Sequence, residues 1–237
     1  MSNIKGGMKI LIIIPAYNEA QKIYSVVENV VFRGYSAKGG PWDLVVVDDG
    51  SSDGTSDQAR RAGAIVLRHF MNRGYGAALE TGNQYALSNG YDAAVHFDGD
   101  GQHDADEIRR VIGPILDNQA DVVIGSRFMG HAQSMPIMRA ILIKLAIVFT
   151  WIFSGIKLSD AHNGFRAFNR RALEIISCGQ DGMSYASEVI DQIAEHKLRV
   201  AEVPVTVAYT DYSKAKGESN ISKVMVGARF IWGKVIS

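Results

Sequence analysis

The sequence predicts an α/β protein built on an open, mostly parallel sheet with helices on both faces. Three observations lead there. Short Val- and Ile-rich runs are apolar without alternation, as strands covered on both faces are. Amphipathic helical stretches fall between them. The two kinds alternate along the first half of the chain, and right-handed crossovers turn that order into a parallel sheet. A length of 237 residues suits one such domain, 1–237, with core enough to need no staples.

Residues 10–15 form the first expected strand, and Ala20, Ile23, Val26, Val27, Val30 and Val31 then share one helical face. Residues 44–48 and 65–68 are the next strands, with a helix between them starting near Thr55. Gly74-Tyr75-Gly76 opens another helix, and residues 93–97 are the fourth strand. Ile108, Val111, Ile112, Ile115 and Leu116 repeat at helical spacing before a fifth strand at 122–125. A loop is expected after Arg127, followed by an apolar stretch, 140–156, broken by Lys144, and a turn-rich segment, 159–169. Residues 185–195 form an amphipathic helix with Val189, Ile190 and Ile193 inward, and 200–209 is extended but interrupted by Pro204. Residues 211–220 are polar, and 221–237 is a basic, apolar-rich helix candidate. The expected division is a ligand-binding half at 8–127, a second half at 128–220 and the C-terminal helix.

Composition excludes several classes. Lys plus Arg and Asp plus Glu are each 25, so nothing suggests a chain held to nucleic acid by bulk charge. Apolar residues at 47% and charged residues at 21% exclude a disordered chain. The single cysteine, Cys178, excludes an internal disulfide framework and a multi-cysteine zinc site, and suits a reducing compartment. The apolar run 10–14 meets Pro15 too soon for a signal-peptide core, and no run reaches the roughly 20 apolar residues of a spanning helix.

In an open α/β sheet, ligands bind beyond the carboxyl ends of the strands. The five expected strands are followed there by Pro15-Ala16-Tyr17-Asn18-Glu19, Asp48-Asp49-Gly50-Ser51, Asn72-Arg73-Gly74, Asp98-Gly99-Asp100-Gly101-Gln102-His103 and Ser126-Arg127. Asp98 and Asp100, with glycine between them, can turn toward one hard cation such as Mg²⁺ or Mn²⁺, which takes one or two carboxylates and completes its shell with phosphate oxygens and water. The plainer alternative is a solvated acidic turn. Asp48-Asp49 either accepts the N–H groups of a base or caps the following helix, where Ser51, Ser52 and Asp53 also stand. Tyr17 either stacks on that base or packs at the sheet edge. Neither Gly-x-Gly pair completes a dinucleotide fingerprint, and no phosphate-binding Walker loop or Gly-x-Ser-x-Gly elbow is present.

Taken together, residues 12–19, Val47-Asp48-Asp49-Gly50-Ser51, Asp98-Gly99-Asp100 and Gly125-Ser126-Arg127 resemble the inverting family 2 glycosyltransferases of the GT-A fold. Asp98-Gly99-Asp100-Gly101-Gln102-His103, Asn163-Gly164-Phe165-Arg166, Glu202-Val203-Pro204-Val205 and Lys216-Gly217-Glu218-Ser219-Asn220 are similar to the polyprenyl-phosphate sugar synthases of the dolichol-phosphate mannose synthase group. The resemblance implies a UDP- or GDP-sugar donor held by Pro15, Ala16, Tyr17, Glu19, Asp48, Asp49 and Asp98. It implies Mg²⁺ or Mn²⁺ on Asp98, Asp100 and Gln102, and catalytic roles for Asp100, Arg127 and Glu188. The acceptor, a polyprenyl phosphate, would meet Arg127, Arg139 and Ser219. Many members carry a Glu-Asp pair whose aspartate deprotonates a sugar hydroxyl, whereas this chain has Glu188-Val189. A phosphate acceptor is already anionic and needs no such base, so the gap favours a lipid phosphate over a glycan hydroxyl. The apolar stretch then becomes an interfacial helix of a peripheral protein on the cytoplasmic face of a membrane, with a core or dimer helix and a spanning helix as the alternatives. A homo-oligomer is an open expectation; a nucleic-acid partner is not expected.

Overall fold

The computed structural model describes residues 7–36, 42–133, 135, 137–178 and 185–209. The expected C-terminal helix at 221–237, Ser219 and the 216–220 motif lie outside these residues.

Among the described residues, seven strands form one sheet in the order β3-β2-β1-β4-β6-β5-β7. β1 (Ile10–Ala16), β2 (Asp43–Asp48), β3 (Ile65–Arg68) and β4 (Ala93–His96) are mutually parallel. β5 (Val122–Gln133) and β7 (Val200–Ala208) also pair in parallel. β6 (Arg166–Asn169) runs against its neighbours, between β4 and β5.

The pleat of β1 divides the core. Ile10, Ile12 and Ile14 face one layer with α1 (Ile23–Ser36), α2 (Thr55–Arg61) and α4 (Ile108–Leu116). Leu11 and Ile13 face the other, with α3 (Tyr75–Ser88), α6 (Arg170–Ile175) and α7 (Tyr185–Glu195). Strands buried on both faces need apolar residues at every position, which is why these runs do not alternate.

The second half departs from expectation in three places. β5 does not end at Gly125: it continues through the polar segment to Gln133, with a register shift between Ser126 and His131. β6 lies inside the segment expected to be turns. Pro204 does not interrupt β7, because β7 is an edge strand and Pro204 lies beside that register shift, where a missing N–H is tolerated.

The apolar stretch is α5 (Ile137–Ser154), an 18-residue helix. Its inner side packs toward α7 and the 155–163 segment, where Thr150 reaches His162. Its outer side leaves Ile137, Met138, Leu145, Ile152 and Phe153 more than half exposed. No helix among the described residues is long and apolar enough to cross a membrane.

Candidate active site

The strand order reverses at β1, which pairs with β2 on one side and β4 on the other. A crevice opens at such a switch point beyond the strand ends. Residues 15–19 leave β1 into it, and Asp98 to His103 enter from β4. Phe97 N–H donates to the Ile13 carbonyl at 3.0 Å, so β4 stays zipped to β1 up to the residue before Asp98.

Asp98 is gripped by two donors. The Tyr75 hydroxyl, at the first position of α3, reaches Oδ1 at 2.5 Å, and His103 Nε2 reaches Oδ2 at 3.0 Å. Burial pushes the Asp98 carboxyl up, but these two hydrogen bonds and the nearby Arg127 charge outweigh it and hold it below its usual range. Asp100 shows the opposite: burial and the Asp98 charge push it up to about 6, with Glu19 adding to the repulsion. Only the Gln102 N–H, 3.0 Å from Oδ1, and His103 work against this. Two neighbouring carboxylates, one strained toward protonation by the other, form a site that a cation would relieve. Among the described residues no three His, Cys, Asp or Glu side chains converge to hold a metal by themselves. The donor set therefore fits a hard cation that shares its shell with a diphosphate, as Mg²⁺ does.

The Asp48-Asp49 pair holds backbone at the end of β2. Asp48 is fully buried, takes the Ser51 N–H at 2.9 Å and is hydrogen-bonded by the Ser56 hydroxyl, so it ties β2 to the start of α2. Asp49 is 3% exposed and accepts from His69 Nδ1 at 2.7 Å, Arg73 N–H at 2.9 Å and Gly74 N–H at 2.7 Å. With three donors in place, its carboxylate organises the 69–74 loop, and Oδ2, which takes only the Gly74 N–H, keeps acceptor capacity. That loop crosses Gly50, which has φ +73°, and a Cβ there would fall 2.5 Å from the Met71 carbonyl carbon. The capping alternative holds in part: Asp53 accepts the Thr55 N–H at 3.0 Å and the Ala20 N–H at 3.2 Å.

Pro15 and Ala16 are the buried last residues of β1, and Tyr17, half exposed, follows them at the crevice. Glu19 is buried, and its N–H donates to Thr55 Oγ1 at 2.8 Å. Gln102 sits between the two edges: its N–H meets Asp100, and its carbonyl accepts the Ala208 N–H at 2.9 Å.

Arg127 is not a loop residue. It lies within β5, 8% exposed, with Nε 2.6 Å from Asp160 Oδ2 and Nη1 2.8 Å from the Tyr209 hydroxyl. Its guanidinium is held in one orientation, and the Asp160 charge helps raise its pKa above the usual arginine value despite burial. Arg139 lies on α5, and its side chain is outside the described residues. Glu188 stands half-buried in the first turn of α7. Val189 is fully buried, so it is a packing position here.

Sequence reasoning missed Tyr75, Gly164, Asp160 and Arg166. A Cβ on Gly164 would sit 2.7 Å from Asp98 Oδ2 and 2.8 Å from the Tyr75 hydroxyl, so this glycine backs the clamp. Arg166 is fully buried, spans the Ala161 and Asn163 carbonyls at 2.9 and 2.8 Å, and lies 5.1 Å from the Tyr185 ring. The 163–166 motif had pointed to the region without assigning these contacts.

Comparison with known proteins follows the same lines. The sequence model of glycosyl transferase family 2 matches residues 11–176. A UDP-N-acetylglucosamine–dolichyl-phosphate N-acetylglucosaminyltransferase of Methanococcus voltae is 33% identical, over 94% of this chain and 93% of that protein. An undecaprenyl-phosphate mannosyltransferase of Micrococcus luteus is 30% identical, over 95% and 94%. Uncharacterized protein MJ1222 of Methanocaldococcus jannaschii is 34% identical, over 96% and 93%. The fold matches that of Mycobacterium tuberculosis glucosyl-3-phosphoglycerate synthase, crystallised with Mn²⁺, UDP and glucosyl-3-phosphoglycerate. That match has a TM-score of 0.64 at 20% identity and covers 86% of this chain and 72% of that one. With the family model covering most of the chain and the switch-point crevice carrying its carboxylates, this GT-A-fold chain belongs to glycosyl transferase family 2.

Proposed function

We propose that the protein transfers a sugar from a nucleoside diphosphate sugar to a polyprenyl phosphate, with inversion at the anomeric carbon. The observation that carries this reading is the Asp98/Asp100 pair at the β1–β4 switch point, beside Tyr17 and Glu19 at the end of β1. The donor's diphosphate would lie against that pair, and its base near Tyr17 and the loop that Asp49 holds. A divalent cation bound by Asp98 and Asp100, with Gln102 adjacent, would supply Lewis-acid neutralisation of the departing diphosphate. Arg127, pre-set by Asp160 and Tyr209, is assigned to the acceptor phosphate, with Arg139 and Ser219 as further contacts. A guanidinium fork suits a phosphate, and holding it rigid lowers the cost of orienting the acceptor.

In-line attack by an acceptor oxygen inverts the anomeric centre in one step. A phosphate oxygen is already anionic, so the attack needs no general base, which agrees with the buried Val189. Glu188 is assigned to orient the acceptor or the sugar. Relatives named for dolichyl and undecaprenyl phosphate support the lipid acceptor. The bare outer side of α5 supports a seat on the membrane surface. No Asp or Glu occurs between Asp121 and Asp160, while Arg139, Lys144 and Lys157 do, so the charge of this stretch of sequence suits an anionic cytoplasmic leaflet.

The test is product formation from radiolabelled UDP- and GDP-sugars with a short polyprenyl phosphate, with and without EDTA, beside Asp100→Ala. Lipid-linked product lost to EDTA, and reduced at least about 100-fold in Asp100→Ala, is the expected result. Donor binding without transfer to any acceptor would overturn the reading in favour of a catalytically silent binding protein.

A further inference from the structure

Resting on the reading of Asp98 and Asp100 as cation ligands, we infer that Tyr75 and His103 are positioning residues that fix the Asp98 carboxylate for the cation. Three separate stretches of chain converge on this one side chain. Tyr75 donates to Oδ1 at 2.5 Å, His103 Nε2 donates to Oδ2 at 3.0 Å, and Gly164 backs the pair so closely that a Cβ there would sit 2.7 Å from Oδ2.

Each donor is itself held. The Tyr75 ring packs on Tyr185 at 5.5 Å between centroids. The His103 ring is 3% exposed and sits 5.0 Å from Phe165 and 5.9 Å from Phe97. His103 Nε2 faces a carboxylate oxygen, which can only accept, so this nitrogen is the donor of the pair. Both partners therefore donate, and both favour an ionised Asp98. Each carboxylate oxygen retains lone-pair capacity after accepting one hydrogen bond, so Asp98 can still face a cation while its orientation is fixed. Outer-shell donors of this kind orient a ligand that would otherwise lose rotamer freedom on binding.

The clamp also reaches the second strand. Asp49 holds Gly74 N–H at 2.7 Å, and Gly74, with φ +101°, launches α3 so that Tyr75 stands at its first position. The buried aspartate at the end of β2 thus sets the tyrosine that sets the aspartate at the end of β4. The nucleotide loop and the cation site form one mechanical unit.

The experiment is Mn²⁺ titration followed by electron paramagnetic resonance, with the full chain saturated with UDP and, in parallel, with GDP. Tyr75→Phe keeps the ring and removes only the hydroxyl; Mn²⁺ affinity is expected to fall about 10-fold while the melting temperature changes little. His103→Leu is expected to do the same from the other side, and His103→Gln, which restores an N–H donor, to recover most of the loss. Wild-type affinity in both Tyr75→Phe and His103→Leu would overturn the inference and leave the cation site standing. Absence of Mn²⁺ binding by the wild-type protein with either nucleotide would overturn both.

Discussion

At the residue scale, the site is defined less by which carboxylates are present than by what each one already holds. Asp98 keeps its charge because Tyr75 and His103 donate to it; Asp100, one residue beyond Gly99, is pushed up to about 6 by burial and by Asp98 itself. The contrast depends on close approach at Gly164. Gly164→Ala would drive a methyl group into the Asp98–Tyr75 contact, and kcat for sugar transfer is expected to drop about 100-fold, as displacements near 1 Å in a reacting geometry do. Unchanged kcat in that variant would mean that the carboxylate has slack the structure does not show. A second residue governs stability. His96 is fully buried on β4, with Nε2 2.8 Å from Asn83 Oδ1; burial and the Arg166 charge push its pKa down to about 3, against the pull of Asp98. Its unfolded value is near 6.5, so its contribution is full above that pH and is lost as pH falls toward 3. His162, also lowered by burial, acts in the same sense, and Asp100, raised, acts in the opposite one. Denaturant unfolding at pH 6 and pH 4 isolates His96 by difference: His96→Gln is expected to remove up to about 1.4 kcal/mol per pH unit from the wild-type slope. Parallel slopes would contradict a neutral, buried imidazole.

At the element scale, legibility followed burial. β1 to β4, α4 and α7 were readable because apolar runs and helical spacing record what each element packs against, and β3, α4 and α7 carry the expected bounds. β6 was not readable: its first residue is a buried arginine, and its apolar content is two residues. The outer part of β5 was not readable either, because Ser126 to Gln133 pairs along an edge strand and needs no apolar pattern to do so. The site divides the same way. The Asp98-Gly99-Asp100 motif is contiguous and visible, whereas the clamp joins residues from α3, the β4 loop and the 163–166 turn, whose meeting is a property of the fold and of no local spacing. The loop contacts of Asp49 were not readable for a related reason: a carboxylate after a strand looks the same in sequence whether or not it also holds the N–H groups of the next loop. α5 carries the element-scale prediction. Leu145 and Ile152 are 61% and 69% exposed, so Leu145→Glu and Ile152→Glu together remove apolar outer surface at little expense in fold stability. Sedimentation with phosphatidylglycerol-containing vesicles is expected to fall at least about 10-fold with the melting temperature kept, since each buried side chain contributes about 1.5–3 kcal/mol. Undiminished sedimentation would remove α5 from the membrane contact.

At the scale of the whole molecule, the arrangement places a cation-ready crevice, a fixed arginine and an apolar helix in one chain. The proposed acceptor, a lipid-linked phosphate, would use all three: its charge for Arg127, its oxygen as nucleophile and its tail along α5. The absence of a carboxylate at Val189 sharpens this, because an alcohol acceptor must give up a proton that a phosphate has already lost. The most direct measurement sets polyprenyl phosphate against the polyprenol of the same chain length, under identical donor and Mn²⁺ conditions, and counts sugar transferred. Transfer to the phosphate with none to the alcohol is the predicted result; equal or preferred transfer to the alcohol, or to a soluble glycan hydroxyl in the same assay, would contradict a base-free attack by a lipid phosphate.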